Sequence, residues 1–466
     1  MRQSPPLIAA RVSLCRAPVS WSEDPFIAIR FIERLRRSWQ STSASGAVFR
    51  NMAVLASGNA TARAIAIASM PVITRIYLPE HMGVLSVFGA LTAPLVPFCT
   101  LRYSAAIPLP KRDGVALNLL VLCVVMLVAT SAMITGALSV TASALLSALS
   151  MENLLPYWWL IPPAIMGQGL YEILQNWAVR TKAFKLVSKT RIGQTVAGSF
   201  TKITLGFLGL RPAGLLVGQI CLQAVGSPSL IRSFWSEFRY NRRWLTRKNL
   251  LFVALRYAEF PKYRLPSQLL LALATKAPLI YFAWQFGAGA AGQLGLALAV
   301  LAMPVLLFGR STGQAYYAEI ARIGSKRPEE IYRISKSIVK RLLFASLVPF
   351  AVLVLAGPLM FSVAFGEQWE EAGVFASVLS FYLLAQFISV PIANALSVFD
   401  RQRLFLLLNM TRVVGVLVMF CFCWLGDLSV VMTLMLYSGF LTLHYLFTCA
   451  AILKVIASAP RANHQN

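Results

Sequence analysis

The sequence predicts an all-α polytopic membrane protein of about twelve transmembrane helices, and three observations carry that prediction. Hydrophobic residues make up 58% of the 466-residue chain, charged residues only 13%, and mean hydropathy is +0.67, whereas soluble domains carry roughly 25% charged residues. The apolar residues fall into runs of about 20, the length that crosses a bilayer core. The 43 Lys and Arg are concentrated in every second connection between those runs. A net charge of +26 would point to nucleic acid in a soluble chain; here it marks topology, and no nucleic-acid partner is expected.

A hydropathy window places the spans near 51–74, 82–101, 114–137, 154–178, 185–208, 211–231, 262–285, 289–318, 338–361, 372–398, 404–425 and 429–453. Several contain proline, among them Pro71, Pro94, Pro97, Pro162, Pro163, Pro278, Pro304 and Pro391. Each removes a backbone donor and kinks its helix, which bundles tolerate where neighbours satisfy the freed carbonyls. Such kinks suit a transporter that flexes and also occur in static bundles. Residues 1–46 read as a basic N-terminal extension. It is expected to be disordered, to lie outside the working protein, or to place residues 26–39 as an amphipathic helix on an anionic surface.

The basic residues sit in the N-terminal tail, the five even-numbered connections (102–112, 180–191, 232–264, 310–341 and 401–412) and the C-terminus. The opposite loops hold only Arg75 and Arg211, with Glu80, Glu152, Glu367, Glu370, Glu371 and Asp427. The positive-inside rule then makes both termini cytoplasmic. The longest basic connection, Arg232 to Arg264, divides the chain into six-helix lobes, residues 47–244 and 245–466. A faint internal echo agrees: Leu78 to Gly83 opens the second helix with Pro94 beyond, and Ala288 to Gly292 opens the eighth with Pro304 beyond. Two even-numbered halves imply a pseudo-two-fold axis along the membrane normal.

Three cations escape this assignment and lie deep in spans: Arg63, Lys202 and Lys276. A charge at that depth is costly and faces a cavity or a partner. Arg63 and Lys276 occupy equivalent helices of the two halves, so across a central cleft they would form an anion site, one offering a bidentate fork and the other a point charge. The alternative is that these cations pair with Glu172, the one carboxylate well inside a span, or snorkel to an interface. Glu172 is also the candidate for proton coupling. Asn59, Gln268 and Gln314 could bind sugar hydroxyls or bond between helices. Arg75, Arg102 and Arg310 lie near span ends, where interface anchoring is the default, and Trp158, Trp159 and Trp369 read as aromatic-belt anchors. The seven cysteines and three histidines have no metal-ligand spacing, and no phosphate-binding loop or catalytic triad is present in the sequence. No cofactor, metal or catalytic residue is therefore expected.

The run Pro71-Val72-Ile73-Thr74-Arg75-Ile76-Tyr77-Leu78-Pro79-Glu80-His81-Met82-Gly83, followed by Leu101-Arg102-Tyr103-Ser104-Ala105-Ala106-Ile107-Pro108-Leu109-Pro110, resembles the opening of bacterial polysaccharide and O-antigen flippases of the multidrug/oligosaccharidyl-lipid/polysaccharide exporter superfamily. Trp177 to Phe184, Phe260 to Ser267, Met303-Pro304 with Gly309 to Gln314, and Phe365 to Gly373 extend the resemblance over about residues 50–425. It implies a flippase that moves an undecaprenyl-pyrophosphate-linked oligosaccharide across the bacterial inner membrane. The partners so implied are that lipid-linked sugar, the lipid bilayer, and a polysaccharide polymerase and glycosyltransferases. Two alternatives stay open. A cation-coupled multidrug exporter of the same superfamily needs embedded carboxylates, and a membrane-embedded glycosyltransferase or polymerase generally needs a carboxylate base or a large outer domain.

Overall fold

The computed structural model describes residues 44–148, 150–305 and 309–459, so residues 26–39 and Cys15 lie outside it. The chain divides into two compact units, Met1–Ala53 and Val54–Asn466. Of the first, only the start of a helix is described; the second holds the bundle.

Every regular element among the described residues is helical. In chain order they are α1 (Ala44–Ile76), α2 (Pro79–Cys99), α3 (Asp113–Ala148), α4 (Ile161–Arg180), α5 (Phe184–Phe207), α6 (Ala213–Ala224), α7 (Gly226–Asn241), α8 (Arg247–Arg256), α9 (Leu265–Pro304), α10 (Arg310–Ile323), α11 (Pro328–Phe365), α12 (Glu370–Ile392), α13 (Ala395–Val398), α14 (Gln402–Leu425) and α15 (Val430–Ala457). Eight helical stretches are long and apolar enough to cross a membrane by length and composition. The other predicted spans are α1, α4 and α5, which carry polar or basic residues, and one half of α9, which covers the seventh and eighth together. The protein is thus a polytopic helical membrane protein, consistent with about twelve spans.

Local chemistry sets several boundaries. Leu78 is extended (φ −74°, ψ 161°) ahead of Pro79, because the proline ring crowds the preceding residue out of the helical region. That turns the chain sharply between α1 and α2. Gly287 sits at φ 83°, ψ 177° inside α9, a conformation that only glycine adopts without strain, and separates the seventh span from the eighth. The eighth is expected as one run over 289–318; α9 reaches Pro304 and α10 begins at Arg310, and the described residues between them, Val305 and Gly309, keep helical backbone angles. The fourth begins with a 3-10 segment, Glu152–Leu160, rather than α-helix.

Two buried clusters form most of the core. One gathers Val84, Phe88, Leu119, Leu127, Ile165 and Trp177 from the first half, and reaches into the long connection through Val253 of α8. The other joins Ile73, Tyr77, Met82 and Leu215 of the first half to Phe282, Leu294, Trp369 and Phe375 of the second. The halves meet along α2 and α9, where small residues allow close approach: a Cβ on Gly83 would strike the Ala288 carbonyl, and one on Gly292 the Pro79 carbonyl. Without a hydrophobic drive between helices in lipid, such close backbone contact is what holds a crossing together. These are the same two stretches whose sequences echo one another.

Candidate functional site

Lys202 lies on α5 and is 8% exposed. Its stem runs over Gly218 of α6, and its Nζ donates to Gln219 Oε1 at 2.9 Å. No ion pair joins it to a described carboxylate. A buried ammonium held by one amide is poorly compensated, since desolvating a charge costs several kcal/mol unless it is paired. Lys276, in the first half of α9, is half-buried beside buried Pro278 and makes no hydrogen bond or ion pair to a described residue. Arg63 is half-buried on α1, next to Ala62. That helix packs on α5, where Ser188 Oγ donates to the Val54 carbonyl at 2.8 Å and Ser69 Oγ meets Ser199 Oγ at 3.0 Å.

The carboxylate inside the fourth span is engaged elsewhere. Arg102 Nη1 donates to Glu172 Oε1 at 2.8 Å and Ser104 Oγ to the same oxygen at 2.9 Å. Arg102 Nη2 reaches Gln268 Oε1 of α9 at 3.5 Å, a long contact between the halves. Arg102 holds φ 61° just after α2, the left-handed conformation a non-glycine residue rarely adopts, so its side chain turns back onto α4. The default reading of Arg102 as an interface anchor gives way to this pair.

A second polar group was also missed. Arg412 falls in the basic connection by the loop count, yet α14 starts at Gln402. Ten residues at 1.5 Å each put Arg412 about 15 Å along the helix. There Nη1 donates to Tyr445 Oη at 3.0 Å, and Gln386 Nε2 donates to the same oxygen at 2.8 Å. Beside them runs an aromatic column, Tyr281 on Phe420 at 4.3 Å and Phe420 on Tyr437 at 5.6 Å between centroids.

The acidic loop between α11 and α12 ties the halves together. Trp369 is fully buried, and its Nε1 donates to the Thr74 carbonyl at 2.9 Å. Gln368 Nε2 donates to the same carbonyl at 2.6 Å, and Gln293 Nε2 to the Gln368 carbonyl at 2.8 Å. Thr74 O is left open because α1 stops at Ile76, and helix-terminal carbonyls need outside donors. Trp369 is therefore a buried tie and not the belt anchor its loop position suggests. Arg75 joins it, donating from Nη2 to the Val363 carbonyl at 3.1 Å. Among the remaining candidates, Asn59 is half-buried, Gln268 contacts Arg102 as described, and Gln314 is exposed on α10. Arg310 starts α10, and its side chain lies outside the described residues.

The motif residues thus have structural duties. Tyr77 Oη donates to the Lys202 carbonyl at 2.7 Å and Tyr103 Oη to the Ala254 carbonyl at 2.8 Å. Trp177 Nε1 donates to Glu237 Oε2 at 3.0 Å, and Arg180 pairs with Asp113 at 2.6 Å. No cluster of His, Cys, Asp or Glu suited to a metal occurs among the described residues.

Comparison with known proteins agrees with this architecture. A multidrug resistance MATE family transporter of the MOP superfamily, solved in an inward-facing conformation, matches 92% of this chain and 99% of its own, at 14% identity and a TM-score of 0.55. A Vibrio cholerae MATE transporter, VcmN, in its bent form matches 92% and 98%, at 13% identity and a TM-score of 0.46. At 14% identity the likeness to the inward-facing transporter is one of fold. No curated protein sequence matches the chain. A family model described as polysaccharide biosynthesis protein matches residues 72–374, the region that carries the Arg75, Arg102, Trp177 and Trp369 motifs, and the chain belongs to that family.

Proposed function

We propose that the protein is a flippase that moves undecaprenyl-pyrophosphate-linked oligosaccharide across the bacterial inner membrane by alternating access, for O-antigen or exopolysaccharide synthesis. Both termini face the cytoplasm, the polymerase and glycosyltransferases of the pathway are its functional partners, and it is not an enzyme. One observation carries this reading: the interior is left positive. Glu172 is taken by Arg102, whereas Lys202 has an amide and Lys276 no described partner. An anionic pyrophosphate supplies the compensation that Lys202 and Lys276 lack, and Arg63 is the third candidate ligand. A cation-coupled exporter of cationic drugs needs the opposite interior. In the proposed cycle the Trp369 tie closes one end of the halves and opens on the return. An anion moving outward is also helped by the membrane potential, worth about 2.3 kcal/mol per charge per 100 mV.

The test is complementation of a deletion strain with Arg63→Ala, Lys202→Ala and Lys276→Ala variants, each checked for membrane abundance. Surface polysaccharide should fall sharply at normal protein level. Wild-type polysaccharide from all three variants would refute the assignment.

A further inference from the structure

We infer that the cleft between the start of α11 and the end of α15 binds the headgroup of an anionic phospholipid. The cleft encloses about 570 Å³ and is walled by Arg333, Lys336 and Lys340 of α11, with Tyr332 and Ser337 beside them. Ile456 at its floor is fully buried, with Ile331 of α11, in a cluster that joins α10, α11, α14 and α15. Tyr316 Oη lies 2.6 Å from Ser335 Oγ and pins the opposite face of α11 to α10. Arg333, Lys336 and Lys340 are therefore held outward, and all three are exposed. Among the described residues Glu329 is the one carboxylate on the wall, against three cations, which leaves an excess of positive charge.

The helical register says what kind of anion fits. Positions 333, 336 and 340 continue along the same face of α11 as Phe344, Leu347 and Leu355, which are 63%, 52% and 85% exposed. Lys340 Nζ stands over the Phe344 ring at 5.9 Å, where the stripe turns from cationic to apolar. From Lys340 to Leu355 is about 22 Å at 1.5 Å per residue, enough to run alongside an acyl chain through one leaflet of a core about 30 Å thick. A free phosphate would use only the cationic part of this stripe. A phosphate carried on acyl chains uses all of it, and basic pockets between helices at the inner face are where anionic headgroups bind. The inference rests on the proposed orientation only in placing this end at the inner leaflet.

The experiment is native mass spectrometry of the purified full chain, released from micelles containing cardiolipin, phosphatidylglycerol, phosphatidylethanolamine or undecaprenyl pyrophosphate. Wild type should retain cardiolipin and phosphatidylglycerol over phosphatidylethanolamine. The triple variant R333A/K336A/K340A should bind them on the order of 100-fold more weakly, a factor of about five per near-surface cation. Arg247→Ala with Lys248→Ala, on α8, serves as a control of equal kind and should retain them. The single exposed change Lys336→Glu should weaken retention too, and serves if the triple variant does not fold. Undiminished adducts in the variants, equal loss in the control, or dependence on the triad for undecaprenyl pyrophosphate alone would overturn the inference. Because no transport is measured, the outcome is independent of polysaccharide export.

Discussion

Removing the Glu172 carboxylate strands the Arg102 guanidinium within the bundle, and the size of the effect follows from the geometry. The pair is 2.8 Å apart, with side chains 24% and 27% exposed. With an effective dielectric constant of about 20, the raw attraction is roughly 6 kcal/mol, and desolvating both ions offsets most of it. Glu172→Ala should therefore destabilise by about 3 kcal/mol, the low end for a buried pair because each group keeps a quarter of its exposure. Arg102→Ala should cost a similar amount. The double variant should cost less than the sum by about 1–3 kcal/mol, as expected for direct partners. Gln268→Ala, at the 3.5 Å contact, should couple to Arg102 by no more than about 0.5 kcal/mol, since a bond this long is weak. The assay is a double-mutant cycle from denaturant unfolding in detergent, followed by tryptophan fluorescence. Costs that add within about 0.5 kcal/mol would refute the pairing.

Four further outcomes follow from the same contacts. Trp369→Ala should cost about 3–5 kcal/mol by emptying a fully buried site, while Trp369→Phe loses mainly one hydrogen bond, about 1–2 kcal/mol; thermal unfolding separates the two. Gly292→Leu should block the α2–α9 crossing and abolish the folded protein, seen as loss of a monodisperse peak on size exclusion. Lys202→Met should leave stability within about 1 kcal/mol or raise it, since removing a poorly compensated buried charge relieves its desolvation, yet it should abolish polysaccharide export. Cysteine placed at Glu152 should react with an impermeant maleimide in intact cells and cysteine placed at Lys326 should not; the reverse pattern would invert the topology.

Hydropathy made the spans legible because burial in lipid demands long apolar runs whatever the tertiary contacts. It placed the boundary between the seventh and eighth spans at 286–288, and Gly287 makes that break with its positive φ. It misfiled Arg412: ten residues beyond Gln402, the arginine is close enough to the basic loop to be counted with it, and only its bond to Tyr445 marks it as interior. Glu172 stood out as an embedded carboxylate, but its partner did not, since Arg102 reads as a loop residue until its left-handed backbone turns it inward. Trp369 shows the same limit. An aromatic residue near a span end fits a membrane belt, and its tie to Thr74, nearly 300 positions away, has no local signature. The family motifs were legible as patterns, and the contacts that explain Arg75, Tyr77 and Tyr103 are all long-range.

Translocation of the lipid-linked sugar itself bears most directly on the central claim. Purified protein would be reconstituted into liposomes that carry undecaprenyl-pyrophosphate-linked oligosaccharide, with a soluble glycosidase or lectin reporting the fraction on the outer leaflet. The account predicts that wild type exposes the inner-leaflet pool and that Arg63→Ala, Lys202→Met and Lys276→Ala variants do not. Equal exposure by wild type and all three variants, or none above protein-free liposomes, would contradict it.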